Sequence, residues 1–169
     1  MKIATLIITV VLTVSAASAQ NITLKVEGNF DGGKMIDVLA TSGRTFGYAC
    51  MTKGWSEAYV GKVFAPASWA EIAVGVGLED AANPVRLGGW VWLGEGHYSL
   101  IHLFEDGGSG EWHKTIAAYQ ISDSVKAGLI DRAFYGRGIT AEYNLGNGSK
   151  LNGAMYEGGK ATVSLSHSF

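Results

Sequence analysis

The sequence is poor in cysteine and proline. It has one cysteine, Cys50, and two prolines, Pro66 and Pro84, among 169 residues. A single cysteine excludes an intrachain disulfide, so the fold cannot depend on a disulfide framework. We interpret Cys50 as a small apolar residue, because unpaired cysteines usually pack as such. Both prolines fall in segments whose composition predicts turns.

Basic charge is also scarce. The chain has 13 lysines and arginines against 15 acidic residues. Without Lys2, which lies in a predicted leader, 12 basic residues remain against 15 acidic ones, a formal net charge of −3. This mildly acidic balance has no basic footprint for nucleic acid, so we expect no nucleic-acid partner.

The N-terminus has only a short hydrophobic run. An apolar stretch from Ile3 to Val14 follows Lys2 and is succeeded by Ala17-Ser18-Ala19. The stretch is about a dozen residues long, whereas a membrane-spanning helix needs about 20. This pattern predicts a signal peptide over residues 1–19 and a single mature domain over 20–169. A retained N-terminal membrane anchor is the alternative.

The mature region shows no sustained helical periodicity. Short runs of β-branched and aromatic residues instead alternate with glycine-rich turn clusters, and the chain holds 24 glycines. Eleven such clusters predict twelve strands in one domain, and eight or ten longer strands are the alternatives. The predicted strands start near Ile22, Met35, Thr45, Glu57, Trp69, Val85, Tyr98, Trp112, Val125, Ile139, Leu151 and Ala161.

Alternation along the strands fits either a water-soluble sandwich or a closed membrane barrel. Three features favour the barrel. Aromatic residues cluster at strand ends, where a barrel has its interfacial girdles. No long connection of the Greek-key type is present. The odd-numbered turns include the long clusters "TKGWS", "EDAANP" and "EDGGSGE", whereas "SGR", "APAS", "GEGH" and "SDS" are shorter and "GNGSK" is an exception. We therefore predict an all-β, closed, antiparallel, up-and-down transmembrane β-barrel.

The C-terminal segment "ATVSLSHSF" alternates apolar and hydroxyl-bearing residues and finishes on an aromatic residue. It resembles the C-terminal strand of Gram-negative outer-membrane β-barrel proteins, although His167 stands where that family usually has an aromatic residue. The resemblance implies a location in the cell outer membrane, contact with outer-membrane lipids and recognition by the barrel-assembly machinery. The residues that would form this assembly signal are Val163, Leu165, His167 and Phe169.

In such a barrel the polar alternates face the lumen, where function would reside. Both signs of charge occur among them, so strong ion selectivity is not expected. We expect Trp90 and Trp92 to narrow the bore. Inward glycines are expected to leave space, namely Gly47, Gly75, Gly77, Gly88 and Gly128. The predicted lumen-lining residues are Lys25, Glu27, Asp37, Glu71, Arg86, Lys126, Arg132 and Glu142.

The leading functional hypothesis is a small passive pore for ions or small solutes, without a cofactor or a metal. A closed structural or interaction barrel in an envelope assembly is the alternative, and a homo-oligomer is left open. The segments "EAYVGKVF" and "YSLIHLF" carry apolar residues on both faces, which suits an oligomer contact or a lumen partly filled with hydrophobic side chains.

An enzyme is the third and least favoured hypothesis. A membrane-interface acyl hydrolase or transferase would need a nucleophile, a base and an orienting carboxylate within mutual reach. The sequence has no G-x-S-x-G motif, so we do not predict catalytic residues. The side chains that such an enzyme would draw upon are His97, His102, His113, Ser99, Ser109 and Ser124.

Overall fold

A computed structural model describes residues 21–169. The predicted signal peptide, residues 1–19, lies outside the described residues. Within the described part of the chain no helix is long and apolar enough to cross a membrane.

The described chain consists of twelve β-strands and one short 3-10 turn at Glu157–Gly159. Each predicted strand start lies within three residues of an observed one. The strands are β1 (Asn21–Asn29), β2 (Lys34–Ser42), β3 (Thr45–Thr52), β4 (Trp55–Ala67), β5 (Ala70–Glu79), β6 (Val85–Glu95), β7 (Tyr98–Gly107), β8 (Trp112–Gln120), β9 (Val125–Arg132), β10 (Gly136–Gly146), β11 (Ser149–Tyr156) and β12 (Ala161–Ser168).

The sheet closes on itself. Every strand pairs antiparallel with the next, and β12 pairs with β1 from Thr23↔Ser168 to Asn29↔Thr162. The backbone N–H of Phe169 donates to the carbonyl of Ile22 at 2.9 Å, which extends the seam. Closure leaves no strand edge unpaired, and an unpaired edge is not tolerated in lipid. The prediction of a closed up-and-down barrel of twelve strands is confirmed, and the counts of eight and ten strands are excluded.

The turns differ between the two ends of the barrel. At the end that holds Asn21 and Phe169, here called the terminal end, four of the five turns have two residues and the fifth spans 121–124. At the opposite, distal end the turns span 30–33, 53–54, 80–84, 108–111, 133–135 and 157–160. The expected long turn at "TKGWS" is wrong, because β3 and β4 run up to Lys53-Gly54 and Gly54 has φ +92°.

The apparent exception at "GNGSK" also disappears in the structure. β10 and β11 extend into this cluster and leave Asn147-Gly148 as a two-residue turn. Both residues have positive φ, 49° and 76°, as a tight hairpin with the right-handed strand twist requires. Turns at the terminal end are therefore short.

Cross-strand partners share a face of the sheet, so the register separates the inner residues from the outer ones. One inner row runs Lys25, Asp37, Cys50, Glu57 and Glu79 across β1 to β5, and all but Lys25 are buried. The alternate residues form an outer face that is mostly apolar and exposed to the surroundings. Its exposed members include Leu24, Val26, Ile36, Val60, Val74, Val76, Leu78, Leu87, Leu129, Ile139, Leu151, Met155, Val163 and Leu165.

An apolar exterior of this extent is not typical of a water-soluble monomer, whose largest apolar patch covers a few hundred Å². It is the arrangement of a barrel whose outer face contacts lipid and whose inner face is polar.

Candidate functional site

One half of the barrel interior, formed by β2 to β6, is filled with aromatic and aliphatic side chains. Phe46, Tyr59 and Ala73 form a buried cluster, and Tyr48 and Trp90 pack against it together with Leu39 and Val63. The rings of Phe46 and Trp90 lie 4.7 Å apart, centroid to centroid, at a tilt of 57°. This half of the lumen therefore resembles a protein core.

Inner glycines make this packing fit. The Phe46 ring occupies the space where side chains at Gly61 and Gly75 would stand, and the Tyr59 ring does the same beside Gly77 and Gly88. The expectation that Gly75, Gly77 and Gly88 leave the bore open is therefore wrong.

The two other glycines named from the sequence also differ from expectation. Gly47 pairs with Ala40 and Val60 on the outer face, so it does not face the lumen. A side chain at Gly128 would overlap the backbone of the neighbouring strand at Ala117 and Ala118. Gly128 thus permits close strand packing and adds no free space.

Arg86 lies at the distal end of the filled half, and its side chain is 2% exposed. Its guanidinium contacts three carboxylates: Glu79 at 2.9 Å, Glu57 at 3.3 Å and Glu105 at 3.3 Å. Arg86 Nε also donates to the hydroxyl of Tyr59 at 2.7 Å. This Arg86 cluster joins β4, β5, β6 and β7 through charge-assisted hydrogen bonds.

The β7–β8 turn is attached to the same cluster. The backbone N–H of Ser109 donates to Glu79 Oε1 at 2.8 Å, and its hydroxyl accepts from Arg86 Nη1. A side chain at Gly108 would overlap the backbone of Asn83 in the β5–β6 turn. Two distal turns therefore pack together over the filled half of the lumen.

A second charged cluster lies on β1, β2, β8 and β9. Lys25 Nζ is 2.5 Å from Asp37 and 3.5 Å from Glu27, and Arg132 Nη1 donates to Glu27 at 2.5 Å. Lys114 faces the same part of the lumen, as the ladder partner of Arg132. Among the described residues, Lys114 forms no ion pair within 4.0 Å.

The other half of the interior contains a cavity of about 350 Å³. It extends along β12, from Ser168 at the terminal end to Thr162 near the distal end. Most of its lining side chains carry a polar group. The lining residues are Thr23, Lys25, Glu27, Lys114, Ile116, Ile130, Thr140, Glu142, Lys150, Asn152, Gly153, Ala154, Tyr156, Thr162, Ser164, Ser166 and Ser168.

The distal end of this cavity is covered by an aromatic cap. Tyr135, in the β9–β10 turn, packs 5.0 Å from Tyr156 and lies under the guanidinium carbon of Arg132 at 4.6 Å. Its hydroxyl accepts a hydrogen bond from Asn29 Nδ2 at 3.0 Å. The preceding residue, Phe134, has φ +69° and is exposed, a conformation that is costly for a bulky residue.

The register places every predicted lumen residue on the inner face. Lys25, Glu27 and Glu142 line the cavity, and Asp37 and Arg132 belong to the second charged cluster. Arg86 is enclosed in its own cluster, away from the cavity. Lys126 is the cross-strand ladder partner of Glu142, whose carboxylate accepts a 3.0 Å hydrogen bond from Lys150. Whether these residues contact a solute stays a prediction.

The two tryptophans share the inner face with Arg86. Trp90 Nε1 donates to Glu71 at 2.7 Å, and its ring packs on Phe46, so it forms part of the filled half. Trp92 pairs with Glu71 and Ile101 nearer the terminal end. A narrowing of the bore by both stays a prediction.

Sequence reasoning missed Glu57, Glu79, Glu105, Lys114 and Lys150. Lys114 and Lys150 each lie in a strand where every second residue faces the lumen, so the alternation could have assigned both to the inner face. Glu57 begins one of the two segments with apolar residues on both faces, and Glu105 directly follows the other. The apolar residues on both faces hid the alternation that would have placed these two side chains. The inner apolar residues of those segments, such as Val63 and Leu103, fill the lumen.

The predicted assembly signal lies at the seam. Val163 and Leu165 are on the outer face and about half exposed. His167 Nδ1 lies 2.8 Å from the Ser149 hydroxyl, and its ring contacts Phe169 edge-on at 4.4 Å. Recognition of these residues by the assembly machinery stays a prediction.

Two of the histidines considered for catalysis, His102 and His113, lie on the opposite face of the barrel wall from Ser109. His102 bonds Thr115 and His113 faces Asp131, all on the outer face, whereas Ser109 bonds Arg86 and Glu79 inside. Residues 21–169 contain no group of three or more histidine, cysteine or acidic side chains placed to hold a metal ion.

No protein-family model matches the sequence, and no curated protein sequence matches it. Solved structures do match. The KdgM porin in complex with disordered oligogalacturonate superposes with a TM-score of 0.63 at 12% identity, over 88% of this chain and 98% of that one. The chain has the fold of this porin.

Two further structures agree with that result. Another structure of the KdgM porin gives a TM-score of 0.61 at 14% identity, over 88% of this chain and 99% of that one. The NanC porin gives 0.54 at 10% identity, over 88% and 98%. The resemblance of the C-terminal strand to outer-membrane β-barrel proteins is thereby confirmed at the level of the fold.

Proposed function

We propose that this chain forms a small passive pore in the cell outer membrane for ions and small hydrophilic solutes. The observation that carries the proposal is the polar cavity along β12, inside a barrel whose outer face is apolar. Water and small solutes would occupy the hydroxyl-lined side, while the outer face contacts lipid. The fold shared with the KdgM and NanC porins supports the same function.

The path of a solute would lie to one side of the barrel axis. The half formed by β2 to β6 is packed around Phe46 and Tyr59, so only the wall formed by β1 and β8 to β12 is left for a solute. A cavity of about 350 Å³ lies at the small end of the range for small-molecule sites. The pore would therefore admit ions and molecules with few atoms and exclude large ones.

The cavity wall has a slight excess of positive charge. Lys150 is paired with Glu142, and Lys25 and Arg132 are paired with Glu27 and Asp37. Lys114 is left without a carboxylate partner among the described residues. We expect a weak preference for anions, because one unpaired charge in a water-filled lumen changes the local potential only modestly.

The direct test is the conductance of the purified mature chain in planar lipid bilayers over a range of salt concentrations. We expect discrete steps, together with swelling of proteoliposomes in small sugars but not in large ones. An absence of both in a barrel shown to be folded by heat-modifiable gel migration would contradict the pore.

A closed structural barrel is the second candidate, and specific observations favour it. The Arg86 cluster with Ser109 covers one half of the distal mouth, and Tyr135 with Tyr156 covers the other. A folded protein without conductance would support this alternative, and a soluble mature chain would contradict both proposals. The same bilayer recordings therefore separate the two.

A further inference from the structure

A row of polar residues interrupts the apolar outer face on β7 to β10. His102 pairs with Thr115, Thr115 with Asp131, and Asp131 with Arg137, so the four side chains stand next to one another on the outside. Arg137 is one residue from the distal end of β10, whereas His102 is the fifth of ten residues in β7. Because strands in such barrels are tilted, the row descends from the distal rim into the apolar band.

His102 is the member that most needs an explanation. Its Nδ1 lies 2.8 Å from the Thr115 hydroxyl, which satisfies one ring nitrogen. Its Nε2 has no hydrogen-bond partner among residues 21–169, and the side chain is exposed. The neighbouring outer residues are Leu100, Val91 and Phe104. An unsatisfied polar atom facing hydrocarbon is costly, so a partner outside the barrel is expected.

Lys62, on the outer face of β4, does not present the same problem. Its ammonium donates to the Thr45 hydroxyl at 2.9 Å, and Thr45 is the first residue of β3 at the terminal end. A long lysine side chain can reach the interface in this way, while its aliphatic part stays in lipid. The short imidazole of His102, in mid-strand, has no such reach.

The upper part of the row carries both signs of charge. Asp131 and Arg137 are direct ladder partners, yet no ion pair within 4.0 Å joins them, and the contact to Asp131 is His113 Nε2 at 4.0 Å. Both charged groups are thus available to another molecule. An anionic lipid would be attracted by Arg137 but repelled by Asp131, so the row suits a surface that carries the same two charges.

We propose that the outer face of β7 to β10 is the contact between two copies of this chain in the membrane. A twofold interface brings the same patch of both subunits together. One acidic and one basic side chain on that patch can then pair reciprocally, Asp131 of each copy with Arg137 of the other. The second copy also offers polar partners to His102 in a region where lipid offers none. The proposal does not depend on conduction.

The first test is cross-linking of the full mature chain in lipid vesicles at low protein density. Cysteine variants Ala117→Cys, on the outer face of β8 two residues from Thr115, and Ile36→Cys, on the far side of the barrel, are compared in a Cys50→Ala background. Oxidation should give a disulfide-linked dimer with Ala117→Cys and monomer with Ile36→Cys. Equal yields from the two, or no dimer from either, would overturn the proposal.

Charge exchange provides the second test, by native mass spectrometry or analytical ultracentrifugation in detergent. Asp131→Arg and Arg137→Asp should each weaken the dimer at least tenfold, because each leaves only like charges in the contact. The double variant, or an equal mixture of the two single variants, should restore it. Lys34→Asp, at the distal rim on β2, is the matched control and should have no effect. A wild-type protein that is monomeric, with or without bound lipid, would contradict the interface.

Discussion

The hydroxyl of Tyr135 accepts a hydrogen bond from the side-chain amide of Asn29, a residue 106 positions earlier in the sequence. Asn29 ends β1, and Tyr135 stands in the turn between β9 and β10, so the bond crosses the distal mouth above β10, β11 and β12. It fixes an aromatic ring over the polar half of the lumen.

This cap is less firmly held than the Arg86 cluster. Arg132 Nε and Tyr156 Oη are buried beneath Tyr135, and neither forms a hydrogen bond of ordinary geometry within the described chain. The backbone of Phe134, next to Tyr135, is in a left-handed conformation, which is costly for a bulky residue. The Tyr135 side chain is held by one hydrogen bond, whereas the Arg86 guanidinium has three carboxylate partners.

We predict that Tyr135→Ala increases the single-channel conductance, because it removes the ring that covers the cavity. Tyr135→Phe removes only the bond to Asn29 and should give a smaller increase. Tyr143→Ala, on the outer face of β10, is the matched control and should leave conductance unchanged. Equal conductance of Tyr135→Ala and wild type in planar bilayers would show that Tyr135 does not limit the passage.

Lys114 should set the ion preference. A unit charge about 10 Å from a permeating ion in water changes its energy by about 0.4 kcal/mol, a factor of about two in ion occupancy. Lys114→Gln should therefore lower anion occupancy and raise cation occupancy by about twofold each. The anion-to-cation permeability ratio, measured as the reversal potential in a salt gradient, should then fall by about fourfold. Lys62→Gln changes the same residue type on the outer face and should leave the ratio as in wild type. An identical shift in both variants would contradict the assignment.

Strand number, closure and the inner or outer placement of charged residues in cleanly alternating strands were predictable from the sequence. Alternation with period two is a local property, and Lys25, Glu27 and Glu142 could each be assigned to a face from their own strands. The end of the chain added the pairing of β12 with β1, because a barrel in lipid must close. These features depend on neighbouring residues and on one general constraint.

The filling of the lumen was not predictable in the same way. Whether Gly75 leaves a space or receives a ring depends on Phe46, two strands away, and the ring reaches across Gly61 on β4. The partners of Arg86 come from β4, β5 and β7 and depend on register between strands. Alternation assigns a residue to a face but gives neither the height nor the rotamer that brings two inner side chains together.

The aromatic filling leads to a prediction about both stability and size. Phe46→Ala should lower the free energy of unfolding by about 3–5 kcal/mol, as large-to-small substitutions in packed cores do. It should also raise conductance, because it empties the space beside Gly61 and Gly75. Urea unfolding in lipid vesicles measures the first effect and bilayer recording the second.

Phe64→Ala is the control for that experiment. Phe64 lies on the outer face of β4 and is half exposed, so its truncation should leave conductance unaltered and reduce stability less. If Phe46→Ala lowered stability without raising conductance, the vacated space would have been refilled by its neighbours. The proposed division of the lumen into a filled and an open half would then not govern the flow of ions.

Arg86 should be the charged residue on which the barrel depends most. Arg86→Gln leaves Glu57, Glu79 and Glu105 buried together without their cation, and loss of one partner from a buried ion pair costs about 3–5 kcal/mol. It also frees Ser109, so the β7–β8 turn should become accessible to protease in intact vesicles. Arg44→Gln, in an exposed turn at the terminal end, should change neither property. A normal unfolding midpoint for Arg86→Gln, measured in urea beside Arg44→Gln, would mean that the three carboxylates find other partners. In that case, replacing Glu57, Glu79 and Glu105 by Gln in the Arg86→Gln protein should not make it more stable.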